Sequence, residues 1–183
     1  MDYQNRIDQF LKNLIHENGS DLHLGEGRKP ALRVNGELIF LSNEQPLTHD
    51  DMVGFLGILL GQEKTNHFLE NHDIDFAYSF EGTTRLRGNA SFQRGMISLT
   101  LRLIPQAKSF EELNLPAVLK AFAARKQGFF LVVGPVGQGK STTLSALINL
   151  INKERAAHIV TIEEPIEFVY TPDKSIIDQR EVG

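Results

Sequence analysis

Eight residues, Gly134-Pro135-Val136-Gly137-Gln138-Gly139-Lys140-Ser141, limit what this chain can become more than any other stretch. They satisfy the pattern G-x-x-x-x-G-K-[ST] at every fixed position. The pattern has a physical basis. Gly134, Gly137 and Gly139 let the backbone curl until successive N–H groups point inward at one anion. Residues 129–133 (Phe-Phe-Leu-Val-Val) form an apolar run rich in strand formers, and residues 141–151 carry a helical pattern. Strand, glycine loop and helix in that order predict an α/β layer whose helix turns its unsatisfied N–H groups toward phosphate. The nucleotide-binding set is then Gly134, Pro135, Val136, Gly137, Gln138, Gly139, Lys140, Ser141 and Thr142. In this chemistry Lys140 reaches the β- and γ-phosphates of ATP and the Ser141 hydroxyl meets Mg²⁺.

Composition narrows the classes around that motif. The 183 residues are 41% hydrophobic and 23% charged, the balance of an ordinary globular protein of one or two domains. A net charge of -4 and a pI of about 5.9 give no global electrostatic case for nucleic acid or an anionic membrane. Cysteine is absent, which excludes disulfides and thiolate metal sites and suits a cytoplasmic protein. The first residues lack the regions of a signal peptide, and the longest apolar run, 52–60, is far short of a membrane span, so no direct membrane insertion is expected. The six histidines show no metal-binding spacing.

Ahead of the loop the chain reads α-β-β-β-α-α-β-β-β. Ile7, Phe10, Leu11, Leu14 and Ile15 recur at helical spacing before Gly19. Asn35-Gly36 between apolar runs predicts a hairpin with a type I′ turn. Thr48 with Asp51 resembles a capping box that opens a helix through Leu60. Ile74, Phe76, Tyr78 and Phe80 alternate as one buried strand face. In the two strands that follow, Arg85 and Arg87 share a face with Asn89, while Ile97, Leu99, Leu101 and Leu103 lie opposite Arg102. The cluster Arg85, Arg87, Arg94 and Arg102 reads either as a solvated sheet face or as an anion-binding surface. A change of pattern near 105–110 predicts a domain boundary. Beyond the loop helix, residues 156–162 predict a second core strand ending at Glu163-Glu164-Pro165, where an acidic side chain handles metal or an attacking water.

Taken together these stretches resemble the secretion and type IV pilus motor ATPases, most closely the PilT-type retraction family. The glycine loop followed by Ser-Thr-Thr-Leu, the segment Thr161-Ile162-Glu163-Glu164-Pro165-Ile166-Glu167 and the segment Gln179-Arg180-Glu181-Val182-Gly183 carry the resemblance, with Ser20-Asp21-Leu22-His23-Leu24 upstream. Residues 161–167 look like that family's acidic box, usually T-I-E-D-P-I-E, with Glu164 standing where aspartate is usual. The resemblance implies an α/β chain with a PAS-like α+β domain over 1–105, a linker over 106–115 and an incomplete RecA-like P-loop domain over 116–183. It implies ATP and Mg²⁺ as ligands, with Ser141 and Glu163 toward the metal. Lys140, Glu163, Arg87, Arg94 and Arg102 are the implied catalytic residues. It further implies a homohexameric ring at the cytoplasmic face of the inner membrane, acting on pilus platform proteins and not on nucleic acid. The family's second acidic segment and histidine box do not occur in these residues. The expectation is therefore a piece that binds nucleotide and does not hydrolyse it alone, with a second domain of low stability. A pilus-assembly or type II secretion ATPase is the neighbouring alternative. A non-hydrolysing PAS-like interaction module with a vestigial nucleotide site is the alternative of another class.

Overall fold

The apolar spacing of the first residues does produce a helix, α1 (Tyr3–His16), which buries Ile7, Phe10, Leu11 and Leu14. Ile15 falls on its solvent side. Asp2 opens the helix by accepting from the Asn5 N–H at 3.1 Å. The computed structural model describes residues 2–82 and 84–182. Gly183, the last residue of the 179–183 segment, lies outside the described residues, as do Met1 and Thr83. The chain divides into two units, Met1–Ile104 and Pro105–Gly183.

In the first unit, β1 (Asp21–Gly25), β2 (Ala31–Val34) and β3 (Glu37–Phe40) follow α1. Asn35 and Gly36 both take positive φ, 51° and 87°, as a type I′ turn demands. Thr48 and Asp51 form a reciprocal capping box ahead of α2 (His49–Leu60). The helix α3 (Gln62–Asn71) ends on a left-handed His72 whose ring packs on Phe92 at 4.6 Å. Three long strands complete the unit: β4 (Asp73–Phe80), β5 (Thr84–Gln93) and β6 (Met96–Ile104). The sheet order is β3-β2-β1-β6-β5-β4, antiparallel throughout. Inward residues of the sheet and the apolar stripes of the three helices make one core of twenty buried side chains among the described residues. The helices therefore cover one face of the sheet. The other face, with Asp21, His23, Arg33, Arg87 and Arg102, is polar.

The second unit holds α4 (Val118–Ala123), α5 (Lys140–Glu154), β7 (His158–Glu163) and β8 (Ile176–Glu181), the two strands pairing in parallel. Two expectations need correction here. Residues 129–133 form no strand; Phe129 is 90% exposed and Val133 76%. β-propensity is realised only through a ladder partner, and among the described residues no strand pairs with this segment. Nor is β7 a core strand. Among the described residues it pairs on one side only, and Ile162 is 73% exposed. The buried apolar cluster of this unit is small: Phe110, Leu147 and Leu150.

Polar stitching does more of the work in this unit. The Val169 N–H donates to Pro105 O at 3.1 Å and Val169 O accepts from Ala107 N at 2.9 Å, an isolated parallel bridge. Asn149 Nδ2 donates to Ala107 O at 3.1 Å. The stretch over 106–115 is thus fastened, with Phe110 buried in the small cluster. The buried Asn152 clamps the β7–β8 connection to α5, donating to Thr171 O at 2.9 Å and accepting from Asp173 N at 3.0 Å.

Candidate functional site

The glycine loop takes the conformation its composition allows. Gly137 and Gly139 adopt φ of 79° and 78°, a region closed to most side chains at low cost. Gly139 caps α5 with no side-chain hydrogen bond, and the first turn carries no acidic residue. The leading N–H groups, at Lys140, Ser141 and Thr142, thus have no carboxylate of their own turn beside them, with the positive end of the helix dipole behind them. Lys140 Nζ folds back and donates to Pro135 O at 2.7 Å. That contact holds the ammonium over the concavity of its own loop.

Strand β7 delivers the acidic partner. Thr161 and Glu163 are two residues apart and share a face, while Val160 and Ile162 point the other way. Glu163 Oε1 accepts from Thr161 Oγ1 at 2.7 Å and from Gln179 Nε2 at 3.2 Å. Oε2 has one long contact, the Glu167 N–H at 3.4 Å. Parallel pairing sets Gln179 of β8 beside Thr161. The same Gln179 amide donates to Phe168 O at 2.8 Å, which fixes its orientation.

Ser141 and Leu144 of α5 and Glu163, Glu164, Phe168 and Tyr170 line one cleft of about 420 Å³, within the range of small-molecule sites. Burial, with the Glu163 charge behind it, raises the Tyr170 phenol well above its ordinary value, so this wall of the cleft stays neutral. Among the described residues no cluster of three His, Asp or Glu forms an all-protein metal cage. The Ser141 hydroxyl and the Glu163 carboxylate share this cleft with Glu164 and Glu167, and a hydroxyl with a carboxylate is a donor set that fits Mg²⁺, which keeps waters and shares phosphate oxygens.

The arginines of the first unit separate into two places. Register sets Arg33, Asp21, Arg102 and Arg87 side by side across β2, β1, β6 and β5. Asp21 is the buried centre of this row. Its Oδ1 accepts from Arg102 Nε at 2.7 Å, Ser20 Oγ donates to Oδ2 at 2.7 Å, and Arg33 Nε lies 3.4 Å from the same oxygen. The carboxylate offsets the repulsion that two arginines directly opposite one another would feel. Arg94 is elsewhere. It and Gly95 make the β5–β6 turn at φ of 54° and 77°, seven residues along β5 from Arg87, or roughly 23 Å at the strand rise of about 3.3 Å.

Asp21 gives an acid-stability prediction. Burial alone would raise its carboxyl, but hydrogen bonds from Ser20 and Arg102 and the Arg102 charge outweigh it and hold the group below its ordinary 3.8. A depressed native value means stability that is present above the unfolded value and lost as pH falls through the native one. Asp21→Asn is therefore expected to lower stability at pH 7 and to flatten the pH dependence below about pH 4. Urea denaturation at a series of pH values reads this; parallel curves for the two proteins would contradict it.

Comparison with known proteins is consistent with this geometry. Residues 87–177 match the type II/IV secretion system protein family. Over 178 residues the chain is 36% identical to the type IV pilus ATPase PilU of Pseudomonas aeruginosa, covering 97% of this chain and 46% of that protein. It is 36% identical over 177 residues to the type IV pilus retraction ATPase PilT of the same organism, covering 96% and 51%. Over nearly its whole length the chain is similar to PilT- and PilU-type type IV pilus ATPases. A crystal structure of the pilus retraction motor PilT with bound ADP superposes with a TM-score of 0.85 at 38% identity, covering 97% of this chain and 52% of that one. The mixed α/β fold is thus that of the corresponding part of PilT. The chain spans about half the length of these relatives. Among the described residues no helix is long and apolar enough to cross a membrane.

Sequence reasoning singled out the loop, Glu163 and the arginines as candidates. It gave no role to Thr161, Gln179 or Asp21. The i, i+2 spacing of Thr161 and Glu163 in a predicted strand was a usable clue for the first. Gln179 and Asp21 become partners only through strand register.

Proposed function

We propose that this chain is the nucleotide-binding part of a motor ATPase that powers type IV pilus retraction. The observation that carries the reading is that Ser141, in the first turn of α5, and Glu163, at the end of β7, line one cleft. In this reading residues 134–142 hold the phosphates of ATP, Lys140 reaches the β- and γ-phosphates, and Ser141 and Glu163 face the metal. Magnesium bound there would neutralise charge developing on the phosphate oxygens. Glu163 would help hold the metal or a water in the cleft. Arg87, Arg94 and Arg102 supply further positive charge to phosphate within an assembled ring.

The first unit is read as a PAS-like domain over 1–105, followed by a linker over 106–115 and the opening part of a RecA-like domain over 116–183. The working form is a homohexamer in the cytoplasm, held at the inner membrane through pilus platform proteins. Titration with a fluorescent ATP analogue tests the core of the proposal. Saturable binding that tightens when Mg²⁺ is added is the expected result. No saturable binding with or without Mg²⁺ would sink it.

A further inference from the structure

Glu163 is held asymmetrically. One oxygen, Oε1, takes two side-chain donors, Thr161 Oγ1 at 2.7 Å and Gln179 Nε2 at 3.2 Å. Among the described residues the other, Oε2, takes only the long 3.4 Å contact from the Glu167 N–H. Thr161 is buried, and it stands on the same face of β7 as Glu163. Gln179 cannot turn its amide without losing the 2.8 Å bond to Phe168 O. Two fixed donors on one oxygen set the rotation of a carboxylate, because the plane that satisfies both is nearly unique.

We propose that Thr161 and Gln179 are positioning residues that grip Oε1 and present Oε2 of Glu163 to the metal side of the Ser141 cleft. The inference rests on the nucleotide-binding reading given above and adds two residues to it. Neither side chain touches phosphate or metal. Both act through the carboxylate, as outer partners of a metal ligand do; removing such a partner commonly weakens metal affinity by about 10- to 100-fold. The Gln-Arg-Glu-Val-Gly segment thereby acquires a chemical role for its first residue.

The test is the Mg²⁺ coupling of nucleotide binding by this chain, the ratio of the dissociation constants for a fluorescent ATP analogue without and with Mg²⁺. Thr161→Val and Gln179→Met are each expected to lower that ratio by about tenfold, with Mg²⁺-free affinity unchanged. Thr161→Ser, which keeps the donor, should retain the wild-type ratio. With Mn²⁺ in place of Mg²⁺, the electron paramagnetic resonance spectrum of the bound ion should broaden in the first two variants and not in the third. Thermal melts confirm that each variant is folded, and the two disrupting variants lie on different strands, so loss of one leaves the other decisive. An unchanged ratio in Thr161→Val or in Gln179→Met would overturn the inference alone. Equal loss with and without Mg²⁺ would also overturn it, because that is the mark of a general structural role. A wild-type chain that bound no nucleotide would overturn this inference and the functional reading together.

Discussion

Lys140→Ala is expected to weaken binding of an ATP analogue by roughly 100-fold. The ammonium stands at the mouth of the glycine loop, where its 2.7 Å bond to Pro135 O holds it over the concavity. On binding it exchanges one carbonyl for phosphate oxygens that carry full charge. Charge-assisted hydrogen bonds contribute up to about 3 kcal/mol, and each 1.4 kcal/mol is tenfold in affinity. The fold should not suffer. A lysine in the first turn opposes the positive end of the α5 dipole, and the loop around it is exposed, so the change in stability should stay within about 0.5 kcal/mol. Fluorescence titration and a thermal melt on the same sample separate the two effects. A loss below about threefold would mean that the loop binds phosphate through its backbone alone.

Phe55→Ala is expected to have the largest effect on stability, a loss of about 3–5 kcal/mol in the first unit. Phe55 is fully buried on α2, where α1 crosses it. Its ring meets Tyr3 edge-on at 6.0 Å and Phe10 at 5.9 Å, with the Arg6 guanidinium 5.5 Å away. Truncation removes the transfer term and leaves a cavity that two anchored helices cannot close. For a unit of this size the melting transition should fall by roughly 15 °C or more. Differential scanning calorimetry reads it. Phe55→Leu, which fills part of the volume, should recover more than half of the loss. If Phe55→Ala cost less than about 1 kcal/mol, the α1–α2 packing described here would be wrong.

These two predictions draw on different kinds of information. Lys140 stood out as a candidate phosphate ligand because the pattern of the loop is local: glycine positions, one lysine and a hydroxyl within eight residues. The burial of Phe55 was half visible. Its helix was legible from the Thr48–Asp51 capping box, but its ring partners come from α1, far earlier in the chain. The same division runs through the first unit. Asn35-Gly36 announced its turn because positive φ at both positions selects few residue pairs. The Arg94-Gly95 turn uses the same geometry with an arginine in the first place, so its composition did not advertise it.

The apolar run 129–133 marks a limit of local reading. Its strand propensity is high, yet its residues remain exposed and unpaired among the described residues. A strand is stabilised by cross-strand pairs and burial, and neither is a property of five residues taken alone.

The sequence by itself determined the glycine loop, the helix behind it, the acidic residue at the end of β7 and the alternating strands of the first unit. Each follows from short-range sterics or from a period of two or 3.6 residues. Only the tertiary structure decided which side chains meet. Antiparallel register brought Asp21 between Arg33 and Arg102 and left Arg94 at the far end of its hairpin. Parallel register brought Gln179 to Glu163, and the tertiary fold put Glu163 in one cleft with Ser141. The physical reason is the range of the interactions. Backbone conformation answers to neighbours in the chain, whereas the orientation of a carboxylate answers to donors that only a folded sheet can bring within 3 Å.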